Sequence, residues 1–549
     1  MSDSPPCWVR DPGGRAAANA GNATAAADAG GWAPLSAAAE GALPPGAWAF
    51  LAPLSKAGGE GVRAREALEG LLAAERAVVD RPASYFYAPE AFPLVACDVA
   101  ALPGPEVADL ARALLGAGVT GFVAPVGAHG EDAESAPRAL EALEAVSVET
   151  GAPVVGALSG AVQMRRPFVE TLINLRPSNA DEAYALVSNL PVDKSHRVSL
   201  VYEDDPEGEA VLTAMKDYQR SVGNRVYTSA AFEPGAFDPV AAADAIFAGE
   251  QIPETVVLYS REAADLAALM KEVENRLGPD GYEAMEFATF SDADAEELHH
   301  SLAALSVSLK PGELILSQVV PDPRADAPIA AEYRAGLGNV PAAAVAVGAE
   351  TPFAEAPPGQ PGYVSFETFM AGVFTSTVLG EMSDKVDLWE TPPSALRDTF
   401  LRQVYSDGVV DLLGDWRFGP FGNVCNVTQG SYDGASYDGA LVGTGCDCNQ
   451  GARSVFLTFM GAEGHGGNST MEHGEMDHGE MGHAGHAGHA GHTGHAGGVD
   501  TARHQGSYAL EVAAEPFAFD TCGYEPPEVR PIVLGQVSTR SGGVAPGLD

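Results

Sequence analysis

Short runs of consecutive apolar residues alternate along this chain with longer stretches whose apolar positions recur every three to four residues. A short continuous run fits a strand buried on both faces, and the 3.6-residue period fits a helix with one buried stripe. The first run, Trp48-Ala-Phe-Leu-Ala-Pro-Leu-Ser55, predicts a strand ending in a turn. Val62 to Val79 follows as a helix, with Ala64, Leu68, Leu71, Leu72 and Val79 on one stripe that Glu75 interrupts. Strands are then predicted at 92–97, 119–124 and 153–157, and helices at 106–116 and 136–150. After the connecting segment Ile173-Asn-Leu-Arg-Pro-Ser178, helices at 181–190, 208–222, 239–247 and 263–277 alternate with strands at 197–202, 226–231 and 255–259. This spacing predicts an α/β fold of two lobes, each a doubly wound, mainly parallel sheet. A second passage between the lobes is expected at Glu313 to Pro323, extended because each proline biases its predecessor away from helix. Tyr363 to Leu379 reads as one long helix with Phe366, Met370, Val373 and Val378 on its stripe.

Composition changes this picture at the two ends. Gly and Pro number 63 and 40, and they gather in residues 1–45, in the passages and in the tail. Residues 1–45 lack periodicity and read as a disordered leader. They hold no apolar core of a signal peptide, and no run in the chain reaches the roughly 18 apolar residues of a membrane span. The expected division is 46–177 with 322–400 as lobe 1 and 178–321 with 401–460 as lobe 2. A flexible His/Met/Gly-rich insertion at 461–503 and a Cys-containing segment at 504–549 complete it. Acids outnumber Lys plus Arg by 75 to 31, a formal net charge of −44, which argues against nucleic acid as a partner. The strings GxxxxGK[ST], GxSxG and HExxH are absent, so nothing in the sequence calls for catalysis.

Six strings, in order, carry a resemblance. They are Gly118-Val-Thr-Gly-Phe-Val-Ala-Pro-Val-Gly127, Gly151-Ala-Pro-Val-Val-Gly-Ala-Leu-Ser-Gly-Ala161, Asn174-Leu-Arg-Pro-Ser-Asn-Ala-Asp-Glu182, Arg197-Val-Ser-Leu-Val-Tyr-Glu-Asp-Asp205, Ser317-Gln-Val-Val-Pro-Asp-Pro323 and Gly362-Tyr-Val-Ser-Phe-Glu367. With them, residues 46 to 420 resemble the type I periplasmic binding proteins of the leucine/isoleucine/valine-binding subgroup. Gly414-Asp-Trp-Arg-Phe-Gly-Pro-Phe-Gly422, Cys425 and Cys446-Asp-Cys-Asn-Gln-Gly451 further resemble the end of the ectodomain in trypanosome receptor-type adenylate cyclases.

The resemblance implies three interlobe passages and a non-enzymatic protein that closes two lobes on a small polar ligand, an amino acid or related solute. It places the ligand at the carboxyl ends of the strands, where backbone N–H groups and helix N-termini converge. In lobe 1 the implied contacts are Gly127 of the 125–128 loop and Ser159, Gly160 and Ala161, a hydroxyl with unobstructed N–H groups suited to a carboxylate. In lobe 2 they are Glu207, Ser260 within Tyr259-Ser-Arg-Glu262, and Ser291. Arg165 and Arg166 could pair acids across the cleft, and Tyr202 reads as a core aromatic. Expected partners are a membrane permease or a membrane-anchored signalling domain, with a homodimer through lobe 1 as a candidate. The expected setting is extracellular, periplasmic or a receptor ectodomain, with any leader or span outside these residues.

Cys425, Cys446, Cys448 and Cys522 read as two disulfides, each of Cys446 and Cys448 bonding Cys425 or Cys522, which agrees with an oxidising compartment and with sequons at Asn22, Asn426 and Asn468; a structural zinc site is the rival, although paired CxxC arms are absent. Cys97 reads as an inert core thiol, and Cys7 carries no expectation. Residues 465–495 hold eight of the thirteen histidines. His473, Met476, His478, His483, His486 and His489 offer imidazole and thioether to copper, or imidazole alone to zinc or nickel. A metal-binding or scavenging protein is therefore the alternative reading, with an α/β enzyme behind it because fold alone does not exclude catalysis, and no cofactor is required by the fold.

Overall fold

The computed structural model describes residues 7–10, 32–35, 43, 46–56, 59–79, 91–127, 139–165, 168–191, 194–282, 285–307, 309, 314–341, 345, 360–407, 410–412, 416–419, 421, 449–452, 454–462, 508–512 and 517–518. Its strands are β1 Cys7–Arg10, β2 Ala33–Pro34, β3 Trp48–Ala52, β4 Leu94–Asp98, β5 Gly121–Val123, β6 Val154–Val155, β7 Leu172–Ile173, β8 Val198–Glu203, β9 Ser229–Phe232, β10 Thr255–Tyr259, β11 Glu286–Thr289, β12 Leu314–Gln318, β13 Val410–Leu412, β14 Trp416–Phe418, β15 Ser454–Ala462, β16 Tyr508–Val512 and β17 Phe517–Ala518. Its longer helices are α1 Gly59–Val79, α2 Gly104–Gly116, α3 Ala139–Thr150, α4 Asn179–Ser188, α5 Pro206–Ser221, α6 Pro239–Ile246, α7 Ala263–Tyr282, α8 Ala295–Leu305, α9 Pro328–Leu337, α10 Tyr363–Ser383 and α11 Pro393–Asp407.

The apolar runs become strands buried on both faces, as in β3, β4, β8 and β10. They assemble two sheets. The first has the order β2-β1-β4-β3-β5-β6-β7, parallel from β4 to β7. The second has the order β16-β15-β12-β11-β10-β8-β9, parallel from β12 to β9, with β17 also paired to β15. Helices interleaved with parallel strands cover the sheets, the two-lobed α/β arrangement expected from the spacing.

The end of the first sheet corrects two expectations. Residues 7–10 and 33–34, inside the segment read as a disordered leader, are strands β1 and β2. The antiparallel register of β1 on β4 sets Cys7 directly opposite Cys97, and the two form a disulfide with Cα atoms 4.2 Å apart. Cys97 is thus a cross-strand partner rather than an inert thiol. The same strand explains why Glu75 interrupts the α1 stripe: Arg10 Nε donates to its carboxylate at 2.6 Å. Val79, read as the end of that stripe, is 48% exposed.

Helix α10 buries nearly its whole circumference, not the single stripe expected, because α1, α11 and β13 pack around it. Its approach to α1 is close enough that a Cβ on Gly70 would stand 2.0 Å from the Ser365 carbonyl. Phe374 of α10 meets Phe418 and Phe421 edge-on, so these residues and β13, within the stretch 401–460 assigned by sequence to lobe 2, side with the α10 layer. The third passage comes later, at 449–452. There Asn174 N–H donates to the Asn449 carbonyl at 2.7 Å and Gly451 N–H donates to the Asn174 carbonyl at 2.8 Å. β15 then enters the second sheet antiparallel to β12. Among the described residues no helix is long and apolar enough to cross a membrane.

Candidate ligand-binding site

Both sheets present the carboxyl ends of their parallel strands to the passages that join them. In lobe 1 the chain leaves β5 through Ala124, whose φ of 47° is a left-handed conformation that costs an alanine about 1–2 kcal/mol. Gly127 follows, half-buried beside Leu140. After β6 come Ser159 to Ala161. The Ala161 N–H, expected to be unobstructed, is taken by Ser159 Oγ at 3.1 Å. Gly160 is a glycine for a packing reason: a Cβ there would stand 1.5 Å from Asn179 Oδ1. The Gly160 carbonyl in turn accepts the Asn179 N–H at 2.8 Å.

Asn179 opens α4, which begins in a capping box: Ser178 Oγ accepts the Asp181 N–H, and the Asp181 carboxylate accepts the Ser178 N–H at 2.8 Å. From this fixed position Asn179 Nδ2 donates to Tyr259 Oη at 2.9 Å, and Tyr259 Oη donates to Glu207 Oε2 at 3.1 Å. The lobe-1 loop and the lobe-2 acid are therefore joined through two buried side chains that sequence reasoning did not single out.

Around Glu207, lobe 2 gathers a dense ionic group. Arg261 pairs with Glu203, with Asp205 at 2.8 Å and with Glu207, and its guanidinium lies 5.7 Å from the centre of the Tyr259 ring. Asp205 also caps α5, accepting the N–H groups of Glu207 and Gly208. Ser260 Oγ donates to Asp265 at 2.7 Å and lies 3.3 Å from Glu203. Burial, reinforced by Asp205 and Glu207 and opposed by Arg261, pushes the Glu203 carboxyl up to about 7. Burial drains charge from Arg261, yet Tyr259, Glu207, Glu203 and Asp205 together hold it cationic.

Ser291 belongs to a second group, centred on Arg176 of the first passage. Arg176 is 1% exposed, donates to Ser291 Oγ at 2.6 Å and to Glu182 at 3.0 Å, and lies 3.4 Å from Asp292 and 3.8 Å from Glu367 of α10. Glu182 also accepts the Ser291 N–H at 3.0 Å and Ser317 Oγ at 2.6 Å. Burial works to raise the Asp292 carboxyl, but Arg176, Arg63 and Arg261 outweigh it and hold it below the usual range. Arg165 donates to Gln450 Oε1 at 2.6 Å and to main-chain carbonyls of Ala161 and Arg176, which ties the third passage to the first. Gln450 Nε2 continues to Asp181 at 3.0 Å.

The structure thus brings Ser159, Gly160, Ala161, Glu207 and Ser260 into one connected region, with Ser291 in the adjoining group and Gly127 on the neighbouring loop. Tyr202 is a core residue, 7% exposed. The sequence signal for the missed residues was present. Arg176 is a lone cation in an apolar passage, and Arg261 follows a strand that neighbours the acid run Glu203-Asp-Asp-Pro-Glu207. Arg166, the cysteines Cys425, Cys446, Cys448 and Cys522 and the tract residues His473, Met476, His478, His483, His486 and His489 lie outside the described residues. Among those described, no cluster of His, Cys, Asp and Glu could hold a metal ion.

No family model and no curated protein sequence matches the chain. Solved structures do. A periplasmic substrate-binding protein from Ralstonia solanacearum superposes with a TM-score of 0.52 at 17% identity, over 76% of this chain and 98% of its own. The leucine-binding protein LivK from Thermotoga maritima gives 0.51 at 14%, over 75% and 95%. A solute-binding protein of an ABC transporter from R. palustris, solved with 4-hydroxybenzoate, gives 0.54 at 11%, over 76% and 93%. These neighbours are binding proteins, and the comparisons lend no support to the narrower likeness to trypanosome cyclase ectodomains. With two such sheets, three passages and these neighbours, the chain has the two-lobed fold of the type I periplasmic binding proteins.

Proposed function

We propose that this protein binds a small polar solute between its two lobes, outside the cytosol, and hands it to a membrane permease or reports it to a membrane-anchored signalling domain. One observation carries the reading. The Ser159–Ala161 loop of lobe 1 and Glu207 and Ser260 of lobe 2 lie at strand ends joined through Asn179 and Tyr259. Around them the carboxylates of Glu182, Glu203, Asp205, Glu207, Asp292 and Glu367 meet the guanidiniums of Arg63, Arg165, Arg176 and Arg261, and burial raises Glu203 and Glu367. Glu207, the acid closest to lobe 1 through the hydrogen-bond chain, is the candidate partner for a cationic group on the ligand, as an amino acid has. The Cys7–Cys97 disulfide fits an oxidising setting.

The test is a thermal-shift panel of amino acids, ureas and aromatic acids including 4-hydroxybenzoate, with calorimetry on any hit. A ligand at a hundred times its Kd stabilises by about 2.7 kcal/mol. Ser159→Trp fills the loop and is expected to abolish that stabilisation while the unliganded protein stays folded. Full affinity in the folded variant overturns the site, and turnover of the ligand overturns the binding role.

A further inference from the structure

The lobes meet along a charged seam that adjoins the ligand site and extends beyond it to Asp294, Glu296 and Arg324. Lobe 1 contributes the first two turns of α1, and lobe 2 contributes Ser291 to Glu296, where β11 leads into α8. Arg63 reaches across, its Nη1 donating to the Asp292 carbonyl at 2.9 Å and its Nη2 lying 3.4 Å from the Asp292 carboxylate. Arg324 crosses to Glu296 at 2.5 Å. Its loop is fixed from α9, where Arg334 donates to the carbonyls of Pro323 and Ala325, each at 2.8 Å.

About one turn along α1 from this grip, three residues after Arg63, stands Glu66, half-buried. It faces Asp294 and Glu296 of lobe 2, Glu69 and Arg63 of its own helix, and Tyr333 of α9. Burial, then Asp294, Glu296 and Glu69, push its carboxyl well above the usual range, against Arg63. Asp294 is fixed in this place because it caps α8. Nearer the start of α1, Glu262 of lobe 2 faces Glu60, Lys56 and Arg63 and is raised by burial and by Asp265 and Glu60. Asp292 is held in the opposite direction by its arginines and stays ionised.

We propose that this seam is a latch on lobe closure, fastened by Arg63 and Arg324 and loosened by negative charge on Glu66. When the lobes part, Glu66 leaves Asp294 and Glu296 and regains water, so its proton departs at a lower pH. Closure therefore takes up a proton. The contribution of Glu66 is complete below the ordinary carboxylate range and is lost as pH rises through its raised value in the closed form. Glu262, raised by burial, by Asp265 and by Glu60 across the seam, acts in the same direction, whereas Glu296 fastens the seam as a carboxylate on Arg324. Asp292 stays ionised across that range, so the Arg63–Asp292 pair does not itself supply the pH dependence.

The test needs no ligand. Spin labels on clickable non-natural residues at Val148 and Ile252, exposed sites on the two lobes, report the interlobe distance by pulsed electron resonance in the full chain. The distance is expected to lengthen from pH 5 to pH 8. Glu66→Gln should lose most of that change, staying closed at pH 8, and Arg63→Met should be open at both values. Asp292→Asn asks the same question from lobe 2 if Arg63→Met fails to fold. A wild-type distance indifferent to pH overturns the proposal, as does a Glu66→Gln variant that keeps the whole shift.

Discussion

Replacing Arg176 by Met tests the energetic centre of the first passage. Methionine keeps much of the arginine stem and removes the charge. In the native protein that charge sits 3.0 Å from Glu182, 3.4 Å from Asp292 and 3.8 Å from Glu367, carboxylates whose side chains are 0%, 7% and 10% exposed. Removing one partner of a buried pair costs about 3–5 kcal/mol, because the other charge stays out of water uncompensated. Here the lower end applies: Asp292 keeps Arg63 at 3.4 Å, and Glu182 keeps the Ser317 hydroxyl and the Ser291 N–H. The expected loss is about 3 kcal/mol at pH 7.5, read by denaturant unfolding. The sign with pH follows from Asp292, whose folded-state value lies below the ordinary one. Its contribution is present above the unfolded-state range and disappears as pH falls through the folded-state value. The variant has lost part of that contribution already, so the two stability curves should converge on acidification. Arg176→Met with Glu182→Gln should recover part of the loss at pH 7.5. A loss under about 1 kcal/mol, or a gap that widens toward pH 4, would refute the idea that Arg176 holds these carboxylates in place.

Two further outcomes follow from neighbouring features. Cys7→Ser with Cys97→Ser opens a 90-residue loop, for which chain entropy gives about 4–5 kcal/mol, so the double variant should melt below the oxidised wild type and match the wild type in reductant. Glu203, pushed up to about 7 by burial, contributes stability below the ordinary carboxylate range that is lost as pH rises through 7. Glu203→Gln should flatten the fall in stability between pH 5 and 8, on the order of 3 kcal/mol, and an unchanged slope would show that Arg261 keeps this carboxylate ionised throughout.

The sheets were legible because parallel strands covered on both faces must be apolar throughout, and runs such as Thr255–Tyr259 advertise themselves. Strand β1 was not, since Cys7-Trp-Val-Arg10 is a short strand whose identity depends on β4, a partner far away in sequence. Residues 286–289 and 295–305 were passed over for a related reason. Glu286 starts a strand with an acid, and α8 exposes enough of its surface to read as polar. At the site, sequence reasoning found the loops and missed what spans them. Ser159, Gly160, Glu207 and Ser260 are turn residues at strand ends, which position alone marks. Asn179, Tyr259, Arg176 and Arg261 sit in segments the sequence marks, but most of their partners lie 52 to 191 positions away, as in Tyr259 to Glu207 and Arg176 to Glu367, so local pattern alone does not give their roles.

The passages bear on how such a molecule can move. Each carries a buried polar residue bonded to another passage or to the first turn of α4: Asn174 and Arg176 in the first, Ser317 at the second, and Asn449 and Gln450 in the third. Buried polar groups cost several kcal/mol when left unpaired, so a motion that breaks these bonds is disfavoured. Lobe opening must therefore rotate about the passages while keeping their hydrogen bonds. The contacts free to change are those farther out, at Arg63 with Asp292 and at Arg324 with Glu296. Gly160 limits the motion from lobe 1, because it packs directly on Asn179 and leaves no room between the loop and α4. The Gly160–Asn179 contact should then lie near the pivot, and the cleft should widen chiefly on the side of α1 and α8.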